Sequence, residues 1–233
     1  MQLVNLKGHI LCCSHFQKDG QNSRKKATVY LEKEKKEGAP LKKPPVVIYS
    51  HGNAGCRLAA LDEAVLCLNY GMDFVCFDFA GCGRSEGEKI SLGFHEKCDL
   101  KTVVDYLLKE GYENIGLWGR SMGASTTLMF ASEFHPPQVK CLVLDSPFTS
   151  IYDVALHLAL TQVQIKIPKF LLSVFAKFGI SRLRKIVLRD EKFDIYNVCP
   201  LKAAENCKYP ITFFVGEVDS LVPPSHSAKM FVF

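Results

Sequence analysis

Polar and apolar residues alternate through GHILCCSHF (8–16) and again through ATVYLEK (27–33), with the polar DGQNSRKK between them. Neighbouring side chains of a strand face opposite ways, so a period of two predicts two antiparallel strands joined by a turn. The lysine-rich EKEKKEGAPLKKPP that follows predicts a solvated loop.

The pattern then changes. VVIYS (46–50), DFVCFDF (73–79), NIGLWG (114–119), VKCLVLDS (139–146) and ITFFVGE (211–217) are short runs rich in β-branched and aromatic residues. Between the first four lie helical patterns, RLAALDEAVLCLNYG, GFHEKCDLKTVVDYLLKEG and MGASTTLMFASEF, with glycine stops after Tyr70 and Glu110. Strand alternating with helix predicts an α/β fold, a mostly parallel sheet with helices on both faces. Residues 147–206 break the rhythm: IYDVALHLALTQV and PKFLLSVFAKFGISRLRKIVL are amphipathic helical patterns with no strand between them. They predict an inserted helical cap, with ordinary packing helices as the alternative.

A chain of 233 residues fits one domain spanning 1–233, and 48% hydrophobic with 23% charged residues is the composition of a chain that buries a core. The net charge of +5 is local, concentrated in 24–43 and in Lys166, Lys169, Lys177, Arg182, Arg184, Lys185, Arg189 and Lys192. No RNP or zinc-finger spacing accompanies it, so nucleic acid is not expected as a partner. The ten cysteines form no C-x-x-C and are scattered through apolar segments, which predicts reduced thiols in the cytoplasm. Vicinal Cys12 and Cys13 fit a core thiol beside a surface thiol, or a pair of acylation sites. Lys7 and His9 interrupt the first apolar residues, no small-residue cleavage site follows, and no apolar stretch reaches spanning length. A soluble protein is expected.

Candidate chemistry begins at Gly119-Arg120-Ser121-Met122-Gly123, between a predicted strand and a predicted helix. A nucleophile elbow needs this context: Ser121 lifted from the sheet in a strained conformation, with small residues Gly119 and Gly123 letting strand and helix approach. A serine that merely caps the helix is the alternative. A nucleophilic serine generates an oxyanion that requires preset donors. One is the backbone N–H of Met122, at a helix N-terminus. A second is offered by the loop His51-Gly52-Asn53-Ala54-Gly55, most directly by Asn53. His51 directly follows the strand and is expected to brace this loop rather than to catalyse.

DFAGCGRSEG (78–87) supplies another glycine-rich loop at a strand exit, without the following helix that a dinucleotide fingerprint needs. Asp219, in GEVDSLVPP, also sits at a strand exit, where a carboxylate can orient a histidine; a turn-forming aspartate is the alternative.

Together HGNAG, DFAGCGRSEGE, GRSMGA, LDSPF and GEVDSLVPPSHS resemble the α/β-hydrolase superfamily in order and interval. More narrowly the chain resembles the serine aminopeptidase-like branch, whose uncharacterised eukaryotic members carry similar strings, including NLKGHILCCSHF as a leading strand pair. The resemblance implies Ser121 as nucleophile, Asp219 as the acid, and Asn53 and Met122 as backbone oxyanion donors, with neither metal nor organic cofactor. It also implies a histidine beyond one more strand and helix after the acid, whereas Phe233 is fourteen residues past Asp219. Of the seven histidines only His226 follows Asp219, and the resemblance makes it a non-catalytic residue at a helix start. The expectation is a truncated chain whose last strand, last helix and catalytic histidine are absent.

The expected function is a serine hydrolase acting on an ester, thioester or amide of a small-molecule, acyl or peptide substrate through an acyl-serine intermediate. Two other classes remain open: a catalytically inactive hydrolase-fold binding module, and a membrane-surface protein docking through the basic cap. Oligomeric state is not legible.

Overall fold

Side-chain alternation along the strands produces a sheet covered on both faces. The computed structural model describes residues 1–18, 43–162 and 167–231. Its seven strands are β1 (Gln2–Val4), β2 (Ile10–Phe16), β3 (Val46–Ser50), β4 (Asp73–Phe77), β5 (Ile115–Arg120), β6 (Val139–Asp145) and β7 (Ile211–Phe214), in the order β1-β2-β4-β3-β5-β6-β7. From β4 to β7 every pairing is parallel, while β2 runs antiparallel to both β1 and β4. This is the α/β-hydrolase fold, a mostly parallel sheet with an antiparallel N-terminal pair. The expected second strand ATVYLEK lies outside the described residues; the hairpin partner of β2 is β1.

β4 is buried along its whole length, and its side chains divide between two apolar clusters. Val75 and Phe77 join the larger one with Leu100, Val103, Val104 and Leu107 of helix α2 (Glu96–Lys109) and Leu128 and Phe130 of helix α3 (Met122–Phe134). Phe74 and Cys76 join the smaller one with Ala64 and Cys67 of helix α1 (Leu61–Asn69). Helices thus cover both faces, as crossovers between parallel strands require. α1 and α2 stop where Gly71 and Gly111 take φ of 81° and 85°, a left-handed conformation that costs glycine little.

Between β6 and β7 the described elements are helical: α4 (Ile151–Thr161), α5 (Lys169–Asp190), a 3-10 turn (Ile195–Asn197) and α6 (Pro200–Glu205). Ser150 caps α4 by accepting from the N–H of Asp153 at 3.0 Å. Arg184 of α5 forks onto both carboxylate oxygens of Asp194, tying the helix to the turn below it. After β7 comes a final short helix, α7 (Ser225–Met230).

Candidate active site

Chain direction determines where the sheet opens. The connection leaving β3 leads to β4 on one side, and the connection leaving β5 leads to β6 on the other. Adjacent strands whose connections diverge leave a crevice at their carboxyl ends, where open α/β sheets bind ligands. β3 and β5 pair with Ser50 opposite Gly119. That register sets the loop beginning at His51 beside Arg120 and Ser121.

The glycines are what make this approach feasible. A Cβ on Gly119 would lie 2.6 Å from the backbone nitrogen of Ala124, whereas one on Gly52 would meet the Cβ of Ser121 at 3.6 Å, an ordinary contact. Gly123 is tighter still, with any Cβ overlapping the carbonyl oxygen of Ser50. Strand, loop and helix therefore meet backbone to backbone around one serine.

Ser121 has φ 50° and ψ −113°, and its N–H donates to the carbonyl of Asp145 at 2.7 Å. Such a conformation costs a non-glycine residue about 1–3 kcal/mol and persists only when the surroundings impose it. Its hydroxyl has no hydrogen-bond partner among the described residues. The side chain does not cap α3, so the helix-capping alternative for this serine is not what the structure contains. Met122 opens the helix, where the backbone N–H has no intrahelical acceptor. Ala54 (φ 57°) and Ser146 (φ 51°) also take positive φ, and both line the cleft that Ser121 enters.

That cleft encloses about 310 Å³. Tyr49, Ala54, Ala59, Leu221 and Val222 form its apolar wall, and Asn53, Arg120, Ser121, Ser146 and Asp219 its polar one. Burial pushes the Tyr49 phenol up to about 12, so it stays neutral. Arg120 faces Asp145 at 3.5 Å. One carboxylate oxygen of Asp219 accepts from the N–H groups of Leu221 and Val222, both at 2.9 Å. This is the turn role. Its other oxygen has no partner among the described residues, so the orienting role remains available to it.

None of the seven histidines lines this cleft. His51 is fully buried; its Nε2 accepts from the N–H of Phe79 at 3.2 Å, which leaves Nδ1–H to donate to the Gly52 carbonyl at 2.8 Å. Burial holds its pKa below the usual imidazole value, and both nitrogens are spent within the loop. His226, on α7, has its Nδ1 against the N–H and hydroxyl of Thr149, and burial again lowers its pKa. His157 Nε2–H donates to the carbonyl of Ser220 and His15 meets the Tyr112 hydroxyl. His135 ends α3 in a left-handed conformation. His9 and His95 line a separate cavity of about 170 Å³ that shares no residue with the cleft.

Two residues that position the site are not singled out by the sequence pattern. Asp78 is fully buried; its carboxylate bonds the side chain of Arg57 and accepts from the N–H of Arg57 at 2.7 Å and of Arg84 at 2.9 Å. It ties the loop after β3 to the loop after β4. A charged residue at a strand exit, followed at once by glycine-rich sequence, was the available hint.

Residues 45–185 match the family model described as alpha/beta hydrolase fold. The chain is 28% identical over 195 residues to the uncharacterized protein YqkD of Bacillus subtilis, covering 83% of this chain and 61% of that one. It is 24% identical over 220 residues to human protein ABHD12B, covering 91% and 54%. Over 120 residues it is 33% identical to the lysophosphatidylserine lipase ABHD12 of Gallus gallus, covering 48% and 30%. The chain thus spans less than two thirds of the length of these relatives. Among solved structures, the esterase Pf2001 of Pyrococcus furiosus superposes with a TM-score of 0.66 at 22% identity, covering all of this chain and 76% of that one.

Proposed function

Because this chain belongs to the alpha/beta hydrolase fold family, we propose that it is a serine hydrolase that cleaves an ester, thioester or amide through an acyl-serine intermediate. The observation that carries this reading is the strained Ser121, presented with a free hydroxyl into a cleft it shares with Asp219. Ser121 Oγ attacks the carbonyl carbon and gives its proton to a histidine base. The backbone N–H groups of Met122 and Asn53 hold the oxyanion that forms. The leaving group takes the proton from the histidinium, and water then hydrolyses the acyl-serine by the same route.

Asp219 holds that histidine through the oxygen its own turn leaves unused. We assign the base to a histidine from outside these 233 residues, because the seven present are either bonded elsewhere or remote from the cleft lining. The helices of 147–206 act as a cap beside the cleft, and the ten free cysteines suit a reducing, cytoplasmic setting.

The test is hydrolysis of a panel of p-nitrophenyl acyl esters by the natural gene product. Turnover should vanish in Ser121→Ala and fall by roughly 10³-fold or more in Asp219→Asn. The absence of histidine from the cleft favours one other reading, a hydrolase-fold binding module. In that case the folded natural product would bind acyl esters without turning them over.

A further inference from the structure

The longest helix shows solvent a face that packing does not explain. Leu172 and Ile180 point inward from α5 and are buried, with Ala176 and Val187 half-buried on the same arc. The opposite arc carries Phe170, Val174, Phe175 and Phe178, each more than half exposed. These large apolar side chains crowd into the first ten residues of the helix. Further along, the same outward arc carries the exposed Arg182 and Lys185 together with the half-exposed Leu188.

Charge on this arc is unbalanced. Arg184 and Arg189 are neutralised by Asp194 and Asp190, and Lys166 of the predicted basic face lies outside the described residues. Lys177, Arg182 and Lys185, on or beside the outward arc, form no ion pair among the described residues. Asp190 is the helix's sole acidic residue.

We propose that the outward arc of α5 is a docking surface for an anionic phospholipid bilayer. An apolar groove on another protein would cover the phenylalanines and leave without a role three cations that form no ion pair among the described residues. A bilayer interface supplies both environments at once: an acyl boundary for the aromatics, and phosphate and carboxylate head groups for lysine and arginine. An interfacial helix of this type sits roughly 5–10 Å into the head-group region. No described helix is long and apolar enough to cross a membrane, so the contact is one of lying on the surface.

The docked face is one helix away from the cleft. α4 packs against α5, and its His157 bonds the carbonyl of Ser220, the residue after Asp219. α5 is thereby linked through α4 to the segment that carries Asp219. Docking does not depend on the hydrolase reading, since binding is measured without turnover.

The test is flotation of the natural gene product with phosphatidylcholine vesicles, with and without about 30% phosphatidylserine, at low salt and at about 0.5 M salt. The bound fraction on anionic vesicles at low salt should exceed that on neutral vesicles by about tenfold and fall at high salt. The variant Phe170→Ser/Phe175→Ser/Phe178→Ser should lose binding, and Lys177→Glu/Arg182→Glu/Lys185→Glu should drop to the neutral-vesicle level. Separately, with Trp118 of β5 replaced by Phe, Phe178→Trp should be quenched by vesicles with brominated acyl chains, a readout local to α5. No binding to anionic vesicles, binding untouched in both triple variants, or an unquenched Trp at 178 would each overturn the proposal. So would a dimer, seen by sedimentation, that the serine variant dissociates while vesicles leave it unbound.

Discussion

Arg57 and Asp78 are 21 residues apart in sequence, yet the aspartate accepts from both the guanidinium and the backbone N–H of the arginine. The pair is almost wholly shielded, with side-chain exposures of 16% and 0%. It fastens the loop that carries Asn53 to the loop that follows β4. Removing one partner leaves the other buried and unpaired, which costs about 3–5 kcal/mol. Asp78→Ala should therefore be strongly destabilising by urea titration. A double-mutant cycle with Arg57→Met should return a coupling energy of about 1–3 kcal/mol.

Glycine at two positions predicts opposite responses to the same substitution. Gly123→Ala would drive a methyl group into the carbonyl of Ser50, and backbone on both sides has no room to yield. The expected loss is about 3 kcal/mol or more. Gly179, inside α5, has nothing within 4 Å of where its Cβ would be. Gly179→Ala should raise stability by about 0.5–1 kcal/mol, because alanine loses less backbone freedom in a helix. Paired thermal melts compare the two directly.

Buried neutral histidines give stability a defined pH dependence. His51 and His226 are held below the ordinary imidazole value of 6.5, in each case mainly by burial. Between that value and the lower folded pKa, the unfolded chain binds protons that the folded chain does not, so unfolding free energy rises with pH. Stability should be fully present above about pH 6.5 and decline as pH falls through the folded pKa values. Replacing His226 by Gln should flatten part of that acid slope. Denaturant midpoints measured from about pH 7.5 to about pH 4.5, roughly the window of imidazole titration, supply the check.

The central part of the fold was legible because each strand from 46 to 146 is a short apolar run, and the first two intervening helices end at glycines that take positive φ. Gly119, Ser121 and Gly123 were legible for a related reason: the spacing of small residues states how closely strand and helix must approach. Asp78 was not. Its partner Arg57 is remote in sequence, and a buried ion pair leaves no period in the hydrophobic pattern. The outward face of α5 was hidden for the opposite reason. Periodicity shows that a helix has an apolar arc, but Phe170, Val174, Phe175 and Phe178 belong to a second arc that only packing distinguishes from the one buried with Leu172 and Ile180. Similarly, the pairing of β2 with β1 could not be read from alternation, since Gln2–Val4 is too short to show a period.

The most direct measurement is fluorophosphonate labelling of the natural gene product, followed by mapping of the modified peptide. The probe reacts only with a serine that has both an activating base and an oxyanion site, so it reads nucleophile and surroundings together. The account predicts one adduct, on Ser121, that disappears in Ser121→Ala and weakens in Asp219→Asn. A well-folded natural product that takes no label, or takes it at a serine outside the cleft, would contradict it.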